Sequence, residues 1–351
     1  AITLNEIGHA YGQLGEIDQQ LKYYLLALEN YEKVPDPTYS NIAMSLKNIG
    51  HTYGKLGEPD QQIVYYLRAL ENYEKMPDPD YSSIARTLNE IGVVYGNLGE
   101  LDYQIESYLR ALENYEKMDN PDYSSIARTL DEIGGAYGQL GEIDQQIIYY
   151  KRAVENYEKM DVEHPAIEDN LCSIGYLYGS LEKFDKQLEY YLQVLQIKEK
   201  KDNPDYLSIA NNLNAIGSAY GNLGMFDQQI DFSLRSLEGY KTNLTPNHPN
   251  FATTLNHIGY AYGKLGKLDK QLEYYLQALE LYENATVLDH LEIARSFHNI
   301  AQTHEKLGNY QGYLSYMKKA YKIRKRELPS EHVDLEISIH ELGRAYGNLG
   351  Y

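Results

Sequence analysis

Apolar residues recur along the chain in paired stripes. Between 79 and 99 they fall at Ile84, Leu88, Ile91, Tyr95 and Leu98, the spacing of three or four that lines one helix face. A second stripe follows at Leu101, Ile105, Tyr108, Leu109, Leu112 and Tyr115. Gly99 stands between the two, where a helix ends in the left-handed conformation that glycine adopts without strain. The first helix is predicted to open at Asp78-Pro79, with the aspartate as N-cap acceptor and the proline at the first helical position. Asp36-Pro37, Asn120-Pro121 and Asn203-Pro204 repeat the device. No stretch alternates apolar and polar residues with a period of two, so no strand is predicted. The unit is an antiparallel hairpin of two helices, A and B, and the fold class is all-α.

The hairpin is copied throughout. Ile-Gly stands at Ile7-Gly8, Ile49-Gly50, Ile91-Gly92, Ile133-Gly134, Ile174-Gly175, Ile216-Gly217 and Ile258-Gly259, and continues altered at Ile300-Ala301 and Leu342-Gly343. The steps are 42 residues, once 41. Residues 79–88 and 121–130 are identical, PDYSSIARTL. A length of 351 residues alone suggests two or three domains, but a strict period over the whole chain replaces them with one solenoid across 1–351. Its units start near 1, 43, 85, 127, 168, 210, 252 and 294, and a terminal helix occupies 336–351: about eight repeats plus one extra helix. A lone hairpin cannot bury its own stripe, so stability is expected from stacked neighbours.

Counting Ala85 as position 1, the unit has Leu88 at 4, Ile91 at 7, Gly92 at 8, Tyr95 at 11, Tyr108 at 24 and Ala111 at 27. This pattern resembles the tetratricopeptide (TPR) repeat. The 42-residue length and the Asn/His-Pro-Asp entry, nearest at His248-Pro249-Asn250, resemble the kinesin-light-chain type. The resemblance implies a right-handed superhelix of hairpins whose A helices line a concave groove that holds other proteins. The lysine–asparagine clamp with which some TPR proteins hold a carboxylate is not reproduced, so a C-terminal Glu-Val-Asp ligand is not expected.

One departure is systematic. Position 20, alanine in the family, is Gln20, Gln62, Gln104, Gln146, Gln187, Gln229 and Gln271. The facing position 12 is glycine in the same seven units, and in the eighth both change, to Glu305 and Tyr313. Each glycine is therefore expected to make room for its glutamine. A buried amide needs partners, and backbone carbonyls or the next unit's helix A are the expected ones.

Charge narrows the function. With 51 acidic and 32 basic side chains the net charge is −19, which argues against a nucleic-acid or anionic-membrane partner. Residues 1–168 carry 29 acidic and 13 basic side chains. A basic run, Lys318, Lys319, Lys322, Arg324, Lys325 and Arg326, lies in the more balanced second half. The single cysteine, Cys172, and the missing signal peptide lead to a cytoplasmic expectation, with an extracellular one left open. No apolar run approaches the roughly 20 residues of a membrane-spanning helix. The start at Ala1 and the absence of polar capping helices lead to the expectation of a fragment of a longer array, or of ends covered by another chain.

Catalytic signatures are absent: there is no GxxxxGK[ST], HExxH or CxxC, so neither an enzyme nor a cofactor is expected. His9 and His51, and His298 and His340, occupy equivalent positions on neighbouring helices, whose axes lie about 8–10 Å apart. That is wide for two ligands on one metal, and no third ligand is evident, so no metal is expected. The sequons at Asn243 and Asn284 matter only in a secreted protein. Positions 4, 7, 8 and 11 pack inward, so positions 2, 5, 9 and 13 point elsewhere, and by the resemblance they line the groove. They supply Asn5, His9, Lys47, His51, Arg86, Asn89, Asn97, Arg128, Asp131, Asn214, Asn222, Asn256, Tyr260, Lys264 and His298. This is an amide-rich surface suited to a peptide backbone. The favoured function is a non-enzymatic scaffold for a protein or peptide in that groove. The alternative is a structural protein whose repeats stack into a filament or tube, motivated by the uncapped ends, the charge asymmetry and a surface at Tyr23, Tyr65, Tyr149, Tyr190 and Tyr274.

Overall fold

A computed structural model describes residues 1–34, 38–160, 164–243, 249–285 and 288–350. These contain seventeen α-helices and no strand. The helices alternate as A and B at the repeat period. Repeat 3, for example, pairs Tyr81–Leu98 with Leu101–Glu116, and repeat 4 pairs Tyr123–Leu140 with Ile143–Glu158. The chain divides into two compact units, Ala1–Asn170 and Leu171–Tyr351, and each is a stack of such hairpins.

In the first unit the core is built from positions 1, 4, 7, 24 and 27. Ala43, Ala85 and Ala127 at position 1 and Ala27, Ala69, Ala111 and Ala153 at position 27 are fully enclosed, because the helices approach closest there. Leu88, Ile91 and Tyr108 fill the space between them. Position 8 admits no side chain: a Cβ on Gly92 would lie under 3.0 Å from the Tyr108 ring. Outside the core, Arg68–Glu32 at 3.2 Å and Arg152–Glu116 at 3.3 Å tie successive B helices in register. Both pairs are exposed and worth a few tenths of a kcal/mol to ~1 kcal/mol each.

The second unit repeats the plan with Ala210, Ala252, Ala278 and Ala320 enclosed among Ile258, Tyr275 and Phe297. Its last hairpin, His290–Lys306 with Tyr310–Glu327, packs Tyr313, Leu314 and Met317 beneath the final helix, Val333–Asn348.

Helix starts differ from the sequence expectation. The caps are Asp80, Asp122 and Asp205, two residues after the expected Asp78, Asn120 and Asn203. Asp80 accepts from the Ser83 amide at 3.0 Å and from the Ser83 hydroxyl at 2.6 Å. In Pro-Asp-Tyr-Ser-Ser the serine hydroxyl adds a second bond only if Asp80 is the cap, and that register wins. Proline does open the helix at Pro165. Asp36-Pro37 and His248 lie outside the described residues, as do parts of both sequons.

The glutamine row is confirmed in its geometry and corrected in its bonding. A Cβ on any of Gly12, Gly54, Gly96, Gly138, Gly179, Gly221 and Gly263 would come under 3.0 Å from the facing amide. Gln62 Nε2 donates to the Tyr66 hydroxyl at 3.2 Å and Gln146 Nε2 to that of Tyr150 at 3.3 Å. In these two repeats the donor's partner is thus the tyrosine one turn along its own helix, where residues i and i+4 meet, and neither a backbone carbonyl nor the next helix A. The Oε1 atoms of Gln20, Gln104, Gln187, Gln229 and Gln271 are buried without a partner.

Candidate functional site

The four positions assigned to the groove divide into two sets. Positions 2, 9 and 13 reach solvent: His9, His51, Arg86, Asn97, Arg128, Asn222, Tyr260 and Lys264 are all exposed. Position 5 does not. Asn5, Lys47, Asn89, Asp131, Asn214 and His298 are half-buried and Asn256 is buried, because position 5 lies one turn from positions 1 and 8, both core. Its side chain turns into the seam between successive A helices, opposite position 3 of the next repeat.

There it forms cross-repeat bonds. Asn5 Nδ2 donates to Ser45 Oγ at 3.0 Å. Asn89 Nδ2 donates to Thr129 Oγ1 at 2.9 Å, while that hydroxyl donates to the Ser125 carbonyl at 2.8 Å. Asp131 accepts from Asn170 and from the Tyr157 hydroxyl, both at 2.7 Å. Burial raises the Asp131 pKa above the usual carboxylate value, against the lowering effect of those two bonds. In the second unit the Thr254 hydroxyl, which donates to the Asn250 carbonyl at 2.8 Å, lies 3.3 Å from Asn214 Oδ1, and the His257 ring lies 3.3 Å from the same oxygen. Asn256 and Ser296, the next pair in the series, make no bond although both are buried. The bonded residues join repeats, and position 5 of repeats 1–8 is withdrawn from the exposed face.

Position 6, where sequence reasoning places Glu132 only on a solvated acidic face, borders that surface. Lys47 Nζ pairs with Glu90 Oε1 at 2.9 Å, reaching from position 5 of one repeat to position 6 of the next. One repeat further on, a pocket of about 320 Å³ opens between Tyr81–Leu98 and Tyr123–Leu140. Asn89, Glu90 and Glu132 line it with Arg86, Arg128 and the Tyr108 ring beneath. Burial pushes the Tyr108 hydroxyl up to about 12; the Gln104 amide opposes this and the nearby Glu132 carboxylate adds to it. The signal available in the sequence was Lys47 and Glu90 themselves, an opposite pair 43 residues apart in a 42-residue repeat.

Comparison with known families fits this geometry. The model described as "Tetratricopeptide repeat" matches residues 1–75 and 250–326, and the intervening hairpins keep its period, with departures at Glu168, Val194, Ser233 and Ser236. Over the two matched stretches the chain consists of tetratricopeptide repeats. A second model, described as an uncharacterized protein conserved in bacteria (DUF2225), matches residues 82–212. No curated protein matches significantly. Among solved structures, a putative kinesin light chain from Podosopora anserina with nearly identical TPR-like repeats is 17% identical. It covers 59% of this chain and 97% of its own, at a TM-score of 0.46. A tetratricopeptide-repeat protein from Parabacteroides merdae is 14% identical over 86% of this chain and 98% of its own, at 0.42. BtubC (BKLC) from P. vanneervenii is 14% identical over 78% and 95%, at 0.34.

The tyrosines expected at an assembly surface are engaged within their hairpins. Tyr23 stacks on Tyr11, Tyr65 on Tyr53, Tyr149 on Tyr137, Tyr190 on Tyr178 and Tyr274 on Tyr262, with ring centroids 5.2–5.6 Å apart. The basic run is likewise engaged in part. Arg324 is buried and donates to Ser338 Oγ at 2.8 Å, and Lys318 and Lys319 lie over the rings of Tyr346 and Tyr316. Among the described residues no group of three or more His, Cys, Asp or Glu is placed to hold a metal ion, and no helix is long and apolar enough to cross a membrane.

Proposed function

We propose that this TPR protein is a non-enzymatic scaffold that holds a peptide or partner protein along the exposed face of its A helices. One observation carries the reading: the A helices present a row of exposed polar residues, one at position 13 of each repeat, joined by His9, His51, Arg86 and Arg128 at positions 9 and 2, while positions 4, 7 and 8 beneath pack into the core. Amides and imidazoles in that row offer donors and acceptors to a peptide backbone. The acidic composition favours a protein partner over nucleic acid or an anionic membrane, and the single Cys172 suits a reducing compartment such as the cytoplasm. Self-assembly has less support, since the tyrosines and part of the basic run that motivated it have partners inside the chain.

Photo-crosslinking tests the scaffold directly. A crosslinking residue placed at His51, Asn97 or Asn222 is expected to capture a discrete partner in native extract. The same residue at Glu71 or Glu113, exposed on B helices, is expected to capture none. Equal capture from both faces, or none from the A helices, contradicts the proposal.

A further inference from the structure

Glutamate stands at position 6 of three A helices that follow another repeat: Glu90, Glu132 and Glu341. Two of the three are neutralised from within the chain. Glu90 holds Lys47 at 2.9 Å. Glu341 accepts from the Tyr313 hydroxyl at 2.5 Å and pairs with Arg344 Nη1 at 2.9 Å. Among the described residues Glu132 has no cation. The residue in the place of Lys47 is Asn89, whose Nδ2 is committed to Thr129. Because the threonine hydroxyl donates to the Ser125 carbonyl, it can only accept from Asn89, which fixes the amide with Oδ1 turned away. That Oδ1 is buried without a partner, and so is Glu90 Oε2. Both residues line the 320 Å³ pocket with Glu132, so the pocket has surplus acceptors where its neighbour one repeat earlier contains an ammonium.

We infer that this pocket receives the side chain of a lysine or arginine presented by a partner peptide, with the cationic head on Glu132 and Asn89 Oδ1. The inference rests on the scaffold reading and names the chemistry of its ligand. The two arginines do not occupy the cation's place. Arg86 turns back along its helix to the Ser82 carbonyl at 3.4 Å and the Ser83 hydroxyl at 3.5 Å. The pKa values of the capping aspartates are lowered, that of Asp80 against desolvation by its bonds to Ser83 and that of Asp122 by its bonds to Ser125, with Arg86 and Arg128 adding to each. The pocket therefore has a carboxylate end and a guanidinium end, and the latter suits carbonyl oxygens of the peptide that carries the cation. A free anion fits less well, since it would sit beside two glutamates and leave the Asn89 acceptor unmatched. The first unit, with 30 acidic and 13 basic side chains over residues 1–170, also draws cations toward it.

Fluorescence polarisation of the full chain with labelled Ser-Gly-Lys-Gly-Ser at low salt tests this. The probe is compared with peptides bearing arginine, norleucine or glutamate at the centre. The lysine and arginine peptides are expected to bind at least about ten-fold more tightly than the other two, and Glu132→Gln to remove about ten-fold. Asn89→Lys places in repeat 3 the ammonium that Lys47 supplies in repeat 2. It is expected to abolish binding while the melting temperature stays the same or rises, which separates occupation of the pocket from unfolding. A lysine peptide that binds no better than norleucine, or as well to Asn89→Lys as to the parent, overturns the pocket. Crosslinking from Asn97 would still succeed in that case, so the scaffold reading fails only if that capture fails as well.

Discussion

Glu182 is the single non-glycine residue with a positive φ among the described residues, at 55°. The glycines at the same position of the other repeats have φ of 74–80°. A side chain with a Cβ is strained there, so Glu182→Gly is expected to raise stability by about 1 kcal/mol. The check is a higher urea midpoint with an unchanged m-value. Position 5 is the residue-scale lesson about the site. Its polarity was legible in the sequence, and read as a sign of solvent. Its distance of one turn from positions 1 and 8 was also legible and was decisive, since a polar side chain on a core-flanking line is satisfied by the neighbouring helix. His257 and His298 show what this enclosure does to a titratable group. Burial lowers both pKa values, helped by Arg295 for His257 and by Arg324 for His298. Their folded pKa lies below the ordinary 6.5, so the unfolded chain takes up protons first. Stability is then present above pH ~6.5 and is lost as pH falls toward the folded values. The double variant His257→Asn/His298→Asn, asparagine being common at position 5 and present at position 6 in repeats 2 and 8, is expected to flatten that slope.

At the scale of the helix, two glycines inside A helices offer opposite outcomes from one substitution. Gly135, in Tyr123–Leu140, has nothing near its would-be Cβ, whereas Gly96 faces the Gln104 amide. Gly135→Ala is expected to stabilise by about 0.5–1 kcal/mol through reduced backbone entropy. Gly96→Ala is expected to destabilise by about 1–3 kcal/mol, since Gln104 is buried and must be displaced. Removing the obstruction in Gly96→Ala/Gln104→Ala should restore part of that loss, and thermal melts of the three variants decide the matter. The pairing of positions 12 and 20 was legible because both change together in repeat 8. The hydrogen bond was not, because periodicity identifies a helix face without saying which of two neighbours on it an amide will choose. Helix starts were misplaced for a related reason. Asp78 and Asp80 both flank Pro79, and only the bonds to Ser83 distinguish them.

At the scale of the whole chain, a 42-residue period carried most of the fold: one hairpin, read once, fixed the A and B helices of every repeat. What it could not carry is the ligand, because repetition defines the surface and the departures from repetition define what binds. Lys47 against Asn89, at one position of adjacent repeats, is such a departure. The acidic excess sets a further expectation. Association of a cationic peptide should be fastest at low salt and slow steeply as the Debye length shrinks from about 30 Å at 0.01 M to 3 Å at 1 M. A stopped-flow association rate that ignores ionic strength would mean that the charge plays no part. The central claim is that partners engage the exposed face of the A helices. It is tested most directly by amide hydrogen exchange on the chain bound to a crosslink-identified partner. Slowed exchange is expected in A-helix segments 81–98 and 123–140, with 101–116 and 143–158 unchanged. Protection confined to the B helices would contradict it.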